Sequence, residues 1–200
     1  MTEAVYHIIA IVVAAYGVVR GYRRGLTGMV TSVLGMAFGV VCAHIFCDGA
    51  TEIVTTVMPD WLKARSGEYL ASNVGAGLVF FIVYEIFRSV TGVIRAAMGA
   101  MPSGLLNSII GAFFCVVNYL LMLSIVYNIL VGWNPESVLM RYGKADDGNI
   151  IEAVMWIAPA ALGSESFAEF AHRKQLEEAR KISLLEDESG AGGTLRGNMT

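Results

Sequence analysis

Two stretches of this chain run for more than twenty residues without a charged side chain: Leu26 to Phe46, and a region from about Leu105 to Trp133. A helix crossing the hydrocarbon of a bilayer needs about 20 mostly apolar residues. A core helix of a soluble domain is rarely charge-free for so long, because one of its faces meets water. Backbone groups in lipid must bond internally, so such stretches are helices and not open strands. Two weaker runs accompany them. Ala4 to Val19 is short but charge-free, and Val74 to Ile94 carries Glu85 and Arg88. The expected fold class is all-α: a polytopic membrane protein with four transmembrane helices, an interfacial amphipathic helix and a charged C-terminal helix.

The charges are few and unevenly placed. They make up 16% of the residues, against about a quarter in soluble domains. No Lys or Arg precedes Arg20, and eleven of the seventeen acids follow Trp133. The net charge of −3 therefore belongs mostly to the tail, and nucleic acid is not an expected partner. The N-terminal apolar run has its positive residues after it, the reverse of a signal peptide, so it is expected to stay in the mature protein.

Cys42, Cys47 and Cys115 are widely spaced and form no Cys/His metal pattern. No nucleophile triad, phosphate loop or dinucleotide fingerprint appears. Neither a catalytic residue, a metal site nor a cofactor is expected.

Between the first two runs lies "GVVRGYRRGLTG", Gly17 to Gly28. Short loops rich in Lys and Arg stay on the cytoplasmic side. Arg20, Arg23 and Arg24 thus predict a cytoplasmic hairpin, with the N-terminus, the segment Asp48 to Asn73 and the C-terminus on the other side. That segment reads as an aqueous loop with a turn or short interfacial helix. Arg88 and Arg95 then return to the cytoplasmic end. Small residues spaced by four let helices approach closely in lipid. Gly17, Gly21 and Gly25 share a face if the first helix runs on through the arginines; Gly25 could instead end it. Gly35 and Gly39 repeat the spacing, as do Gly104, Ser108 and Ala112.

"RGYRRGLTGMVTSVLGMAFGV" resembles the arginine–glycine hairpin and next span of the colicin V production protein (CvpA) family. "LVFFIVYEIF" and "MPSGLLNSIIGAFFCVVNYLLML" resemble that family's third and fourth spans, with Asn107 and Gly111 as the most telling positions there. The resemblance covers about Ala4 to Val131. Ser108 and Asn118 stand where or near where the family often has a basic residue, and Cys115 and Tyr119 near frequent glycines. The resemblance implies a non-enzymatic inner-membrane protein linked to bacteriocin production or export, or to envelope integrity.

Four groups of polar residues are singled out. Glu85 and Arg88 read as an i,i+3 pair at the cytoplasmic face, in preference to an ion path. Asn107, Asn118 and Asn128 read as hydrogen-bonding glue between helices, in preference to a pore lining. His7 and His44 read as interfacial residues. Beyond Trp133, Asn134 and Pro135 suit a helix start. "NIIEAVMWIAPAALG" reads as an interfacial helix anchored by Trp156, followed by a charged helix with i,i+4 pairs such as Lys174/Glu178. The chain divides into a membrane domain at 1–133, a helical tail at 134–185 and a disordered end at 186–200. Expected partners are the lipid bilayer and a second copy or another membrane protein. A small oligomeric channel, and an anchor whose tail recruits a partner, are the alternatives to a structural role.

Overall fold

The computed structural model describes residues 2–98, 104–134 and 150–196. All the elements are helical: α1 (Thr2–Val57), α2 (Asp60–Met98), α3 (Leu105–Trp133), α4 (Ile150–Leu162) and α5 (Phe167–Arg196). Helix α1 is broken at Gly25, whose φ of 63° and ψ of 173° lie outside the helical region. Only glycine takes that conformation without strain. The break yields two of the four candidate membrane spans, Ala4–Gly25 and Met29–Val57; Asp60–Val90 and Leu105–Trp133 are the others.

The packing partners fix the directions. Along the first arm of α1, Tyr6 meets Tyr127, Gly17 faces Val116 and Gly25 faces Asn107, so this arm runs antiparallel to α3. Along the second arm, Gly35 faces Tyr84 while Ala50 meets Gly75, so this arm runs antiparallel to α2. Helix α2 is itself antiparallel to α3, with Leu70 against Gly132, Gly77 against Ile125 and Tyr84 bonded to Asn118. The two arms of α1 must then oppose each other, and Gly25 is the point of reversal. One end of the bundle therefore gathers Arg20, Arg24, Glu85, Arg88 and Asn107. At the other end Trp61 and Trp133 meet edge to face at 6.0 Å.

The outside of this unit is apolar. Ile8, Val12, Ile45 and Phe113 are each more than half exposed. Apolar area on that scale, on helices of this length, suits lipid and not water. Inside, Ala43, Cys47, Phe80, Leu121 and Ile125 form a buried cluster.

The segment Asp48 to Asn73, expected as an aqueous loop, is helical apart from a turn at Met58 and Pro59. Its threonines do not break the helix, because each donates its hydroxyl one turn back. Thr51, Thr55 and Thr56 reach the carbonyls of Cys47, Thr51 and Glu52 at 2.7, 2.8 and 2.9 Å. Pro59 makes the turn, since a proline disfavours helical backbone in the residue before it.

The helix expected at the interface, α4, buries Ile151, Val154, Met155, Ala158, Pro159 and Leu162. Ala158 and Leu162 join the central cluster, while Trp156 stays exposed. The compact unit holding the spans extends over Met1–Phe167 and so includes α4, beyond the Trp133 boundary read from composition. The helix start expected at Asn134 and Pro135 runs into residues outside those described; Asn134 itself is the C-cap of α3. The second unit begins at Ala168. There Lys174 pairs with Glu177 at 3.3 Å, one residue short of the expected Glu178. The α5 backbone stays helical to Arg196, past the expected end at 185. No glycine, the commonest interruption, occurs in it before Gly190.

Candidate functional site

Close backbone packing builds the arginine end. A β-carbon on Gly21 would stand 2.5 Å from the Gly111 carbonyl oxygen, and 2.6 Å from both Ala112 Cα and Cys115 Cβ. At Gly17 it would meet Val116 Cα at 3.1 Å, and at Gly25 the Asn107 Nδ2 at 2.6 Å. The hairpin glycines thus lay the first arm directly on α3. Gly35 and Gly39 do the same for the second arm on α2, where a β-carbon would meet the Tyr84 carbonyl at 3.2 Å and the Phe80 ring at 2.9 Å. Gly111 is buried on α3. Gly104 is a correction: among the described residues nothing lies within 4 Å of its would-be β-carbon, and it caps α3. Ser108 is half-buried, and its N–H donates to the Gly104 carbonyl at 3.3 Å.

This packing leaves a cleft of about 290 Å³ between both arms of α1, α2 and α3. Its polar lining includes Arg20, Arg24, Ser32, Tyr84, Glu85, Arg88, Asn118 and Tyr119, and Met29, Phe81 and Met122 are among its apolar walls. Arg20 turns back along its helix, the natural direction for a helical side chain. Its Nη1 donates to Tyr16 Oη at 2.8 Å, and its guanidinium lies 5.7 Å from the Tyr16 ring centre. The Tyr16 ring meets Tyr119 edge to face at 5.5 Å. Asn118 and Tyr119 stand at the middle of α3. Arg20 therefore carries its charge one turn back from the hairpin, along a partly exposed face of the first arm.

Glu85 and Arg88 pair at 2.9 Å, both more than half exposed, as an i,i+3 pair on α2. Asn118 is buried; its Nδ2 donates to Tyr84 Oη at 3.3 Å, while its Oδ1 accepts no hydrogen bond. Arg23 is exposed and does not line the cleft. Asn107 sits beside Gly25. At the opposite end Asp48, Glu52, Glu68 and Lys63 line an open cleft of about 900 Å³ with Thr51, Thr55 and Thr56.

A second polar centre ties α4 to the spans. Pro159 has no N–H, so the carbonyl four residues earlier, that of Met155, loses its helical donor. Asn128 Nδ2 donates to that oxygen at 2.9 Å and Ser124 Oγ at 3.2 Å. Ser124 Oγ in turn accepts from the Ala158 N–H at 2.8 Å. Tyr69 Oη donates to Asn128 Oδ1 at 2.5 Å. Further along, Asn73 Nδ2 donates to the Glu165 carbonyl at 3.2 Å, and Ser164 Oγ donates to Asn73 Oδ1 at 3.0 Å. Sequence reading finds Asn128 but misses Tyr69, Asn73, Ser124 and Ser164. Pro159 is the available signal, since it announces a carbonyl in need of a donor. His44 stands against Gly163, the left-handed residue that ends α4.

Among the described residues, no three or more His, Cys, Asp or Glu side chains gather as a metal site would require. The arrangement's evident chemistry is cationic, with guanidiniums displayed in a cleft within a helical membrane bundle.

A family model described as colicin V production protein matches residues 6–144. The chain belongs to the colicin V production protein family. The match contains the arginine hairpin, the cleft and all of α3, and stops before α4. It is accordingly a multi-pass membrane protein of that family. No curated protein and no solved structure matches the chain.

Proposed function

We propose that this chain is a non-enzymatic structural or assembly component of the bacterial inner membrane, serving colicin V-type bacteriocin production or secretion, or envelope integrity. The arginine hairpin faces the cytoplasm, while the N-terminus and the chain after Trp133 face the periplasm, as the positive-inside rule requires. The partner is a second copy or another membrane protein.

The observation that carries this reading is how the bundle spends its polar groups. Tyr69, Ser124 and Asn128 are buried and bonded to one another or to α4. They hold helices together. Conduction is the rival reading, favoured by the reach of the arginine cleft to the middle of α3. Beyond that depth, however, follows the tightly buried cluster of Phe80, Leu121 and Ile125.

Two measurements test the proposal together. The purified protein in a planar bilayer should pass no ion current above the empty membrane. A photocrosslinking residue at the exposed Tyr22 should capture a defined membrane protein, or a second copy, in intact cells. A reproducible unitary conductance would replace the scaffold reading with the channel.

A further inference from the structure

Among the described residues, Arg20 and Arg24 line the arginine cleft with no carboxylate bonded to either. Among the described residues Arg20 donates only to the neutral Tyr16 hydroxyl, and no acid pairs with either Arg20 or Arg24. The one acid in the cleft lining, Glu85, is already held by Arg88 at 2.9 Å. Half-exposed and exposed guanidiniums at the cytoplasmic end of a span attract anionic groups at the membrane surface. The second observation is independent of charge. Asn118 is only 5% exposed, and its Oδ1 has no donor. A buried amide oxygen without a partner is rare in folded proteins. A ligand that satisfied both features would bring an anion for the arginines and a hydrogen-bond donor for Asn118.

We infer that the cleft binds the phosphodiester headgroup of an anionic phospholipid whose headgroup carries a hydroxyl, as phosphatidylglycerol does. The phosphate sits between Arg20 and Arg24, whose planar forks match its oxygens better than an ammonium would. The headgroup hydroxyl donates to Asn118 Oδ1. A dissolved phosphate ester would offer the same groups, but the wall of the cleft favours lipid. Phe81 and Arg88 line it and are also exposed on the outer surface of α2, so the mouth opens sideways toward the bilayer. The volume of about 290 Å³ suits a headgroup and not a folded peptide. This inference concerns the lipid alone and stands apart from the cargo or partner that the bundle serves.

The test uses the full chain in mild detergent and native mass spectrometry. Phosphatidylglycerol and phosphatidylcholine of identical acyl chains are offered at equal concentration. The expected result is one phosphatidylglycerol retained per chain, at least tenfold over phosphatidylcholine. Arg20→Lys should cut that preference several-fold. Asn118→Leu should erase discrimination between phosphatidylglycerol and phosphatidic acid, which lacks the hydroxyl. Lys63→Gln, at the opposite end, should change nothing. Equal retention of the two lipids by the unmodified protein would overturn the proposal, and that comparison needs no variant to fold. An unchanged preference in an Arg20→Gln/Arg24→Gln double variant with unaltered circular dichroism would do the same. Glycerol 3-phosphate displacing all bound lipid at equal concentration would assign the site to a soluble ester and reject the lipid.

Discussion

Gly21→Ala is expected to destabilise the bundle by about 2–3 kcal/mol, the upper range for forcing extra volume into a packed interior. The added methyl would meet a carbonyl oxygen and two carbons of α3 at 2.5–2.6 Å, and the carbonyl and Ala112 Cα belong to a backbone that has no rotamer to change. The first arm must then lift from α3, which also widens the arginine cleft. Gly39→Ala should cost less, because the nearest obstacle at 2.9 Å is a Phe80 ring that can tilt. Gly67→Ala should cost nothing. Nothing lies within 4 Å of its would-be β-carbon, and alanine gains roughly 0.5–1 kcal/mol of helix propensity over glycine. Unfolding in mixed micelles by rising SDS, followed by circular dichroism, measures all three. Equal midpoints for Gly21→Ala and Gly67→Ala would remove the close backbone approach from the account.

Asn128→Leu should cost about 2–3 kcal/mol and loosen α4 from the spans, since a buried group left unpaired costs about 1–3 kcal/mol. The substitution removes two bonds at once: the one from the Tyr69 hydroxyl, and the shorter of two side-chain bonds to a Met155 carbonyl that Pro159 has already deprived of its helical donor, leaving Ser124 at 3.2 Å to serve it. Membrane hydrogen bonds average only about 0.6 kcal/mol in double-mutant cycles, so the loss of bonds alone would not reach this figure. The weakened bonding of that carbonyl makes a specific cycle available. Pro159→Ala supplies an N–H four residues after Met155 and lets α4 satisfy that oxygen internally. In the Pro159→Ala background, Asn128→Leu should therefore cost about 1 kcal/mol less, within the usual range of coupling between contacting residues. Strict additivity of the two substitutions would show that Asn128 serves some other partner.

These two sites mark how far the sequence could be read. The membrane class, the number of spans and the reversal near the arginines follow from charge-free runs and loop charge, because the bilayer imposes length and internal bonding on any chain that crosses it. The glycine spacing pointed to a shared face through Gly17, Gly21 and Gly25, but spacing cannot say which helix approaches. That is a property of α3 at Gly111, Cys115 and Val116. The same limit accounts for Gly104, which has the right spacing and no neighbour among the described residues. The helical extension through Asp48 to Asn73 was hidden because threonine and acid lower a hydropathy trace without breaking a helix. The docking of α4 was hidden for a different reason. Its anchors lie in other spans, and only the fold brings Ser124 and Asn128, the latter held by Tyr69, to the Met155 carbonyl, and Asn73 to the Glu165 carbonyl. The cleft was half visible. Glu85, Arg88 and Asn118 were identifiable singly as polar residues in apolar runs, but their convergence with Arg20 and Arg24 needs the hairpin reversed at Gly25.

The orientation of the bundle underlies both the proposed role and the cleft, and impermeant thiol labelling in intact cells measures it directly. With Cys42, Cys47 and Cys115 replaced by alanine, single cysteines are placed at Tyr22 in the hairpin and at Ala64 near the start of α2, both exposed positions at opposite ends. A cysteine at Ala64 should react with the reagent from outside, while one at Tyr22 should react only after the membrane is permeabilised. Labelling of Tyr22→Cys in intact cells, with Ala64→Cys protected until lysis, would contradict the account and place the arginine end on the outside.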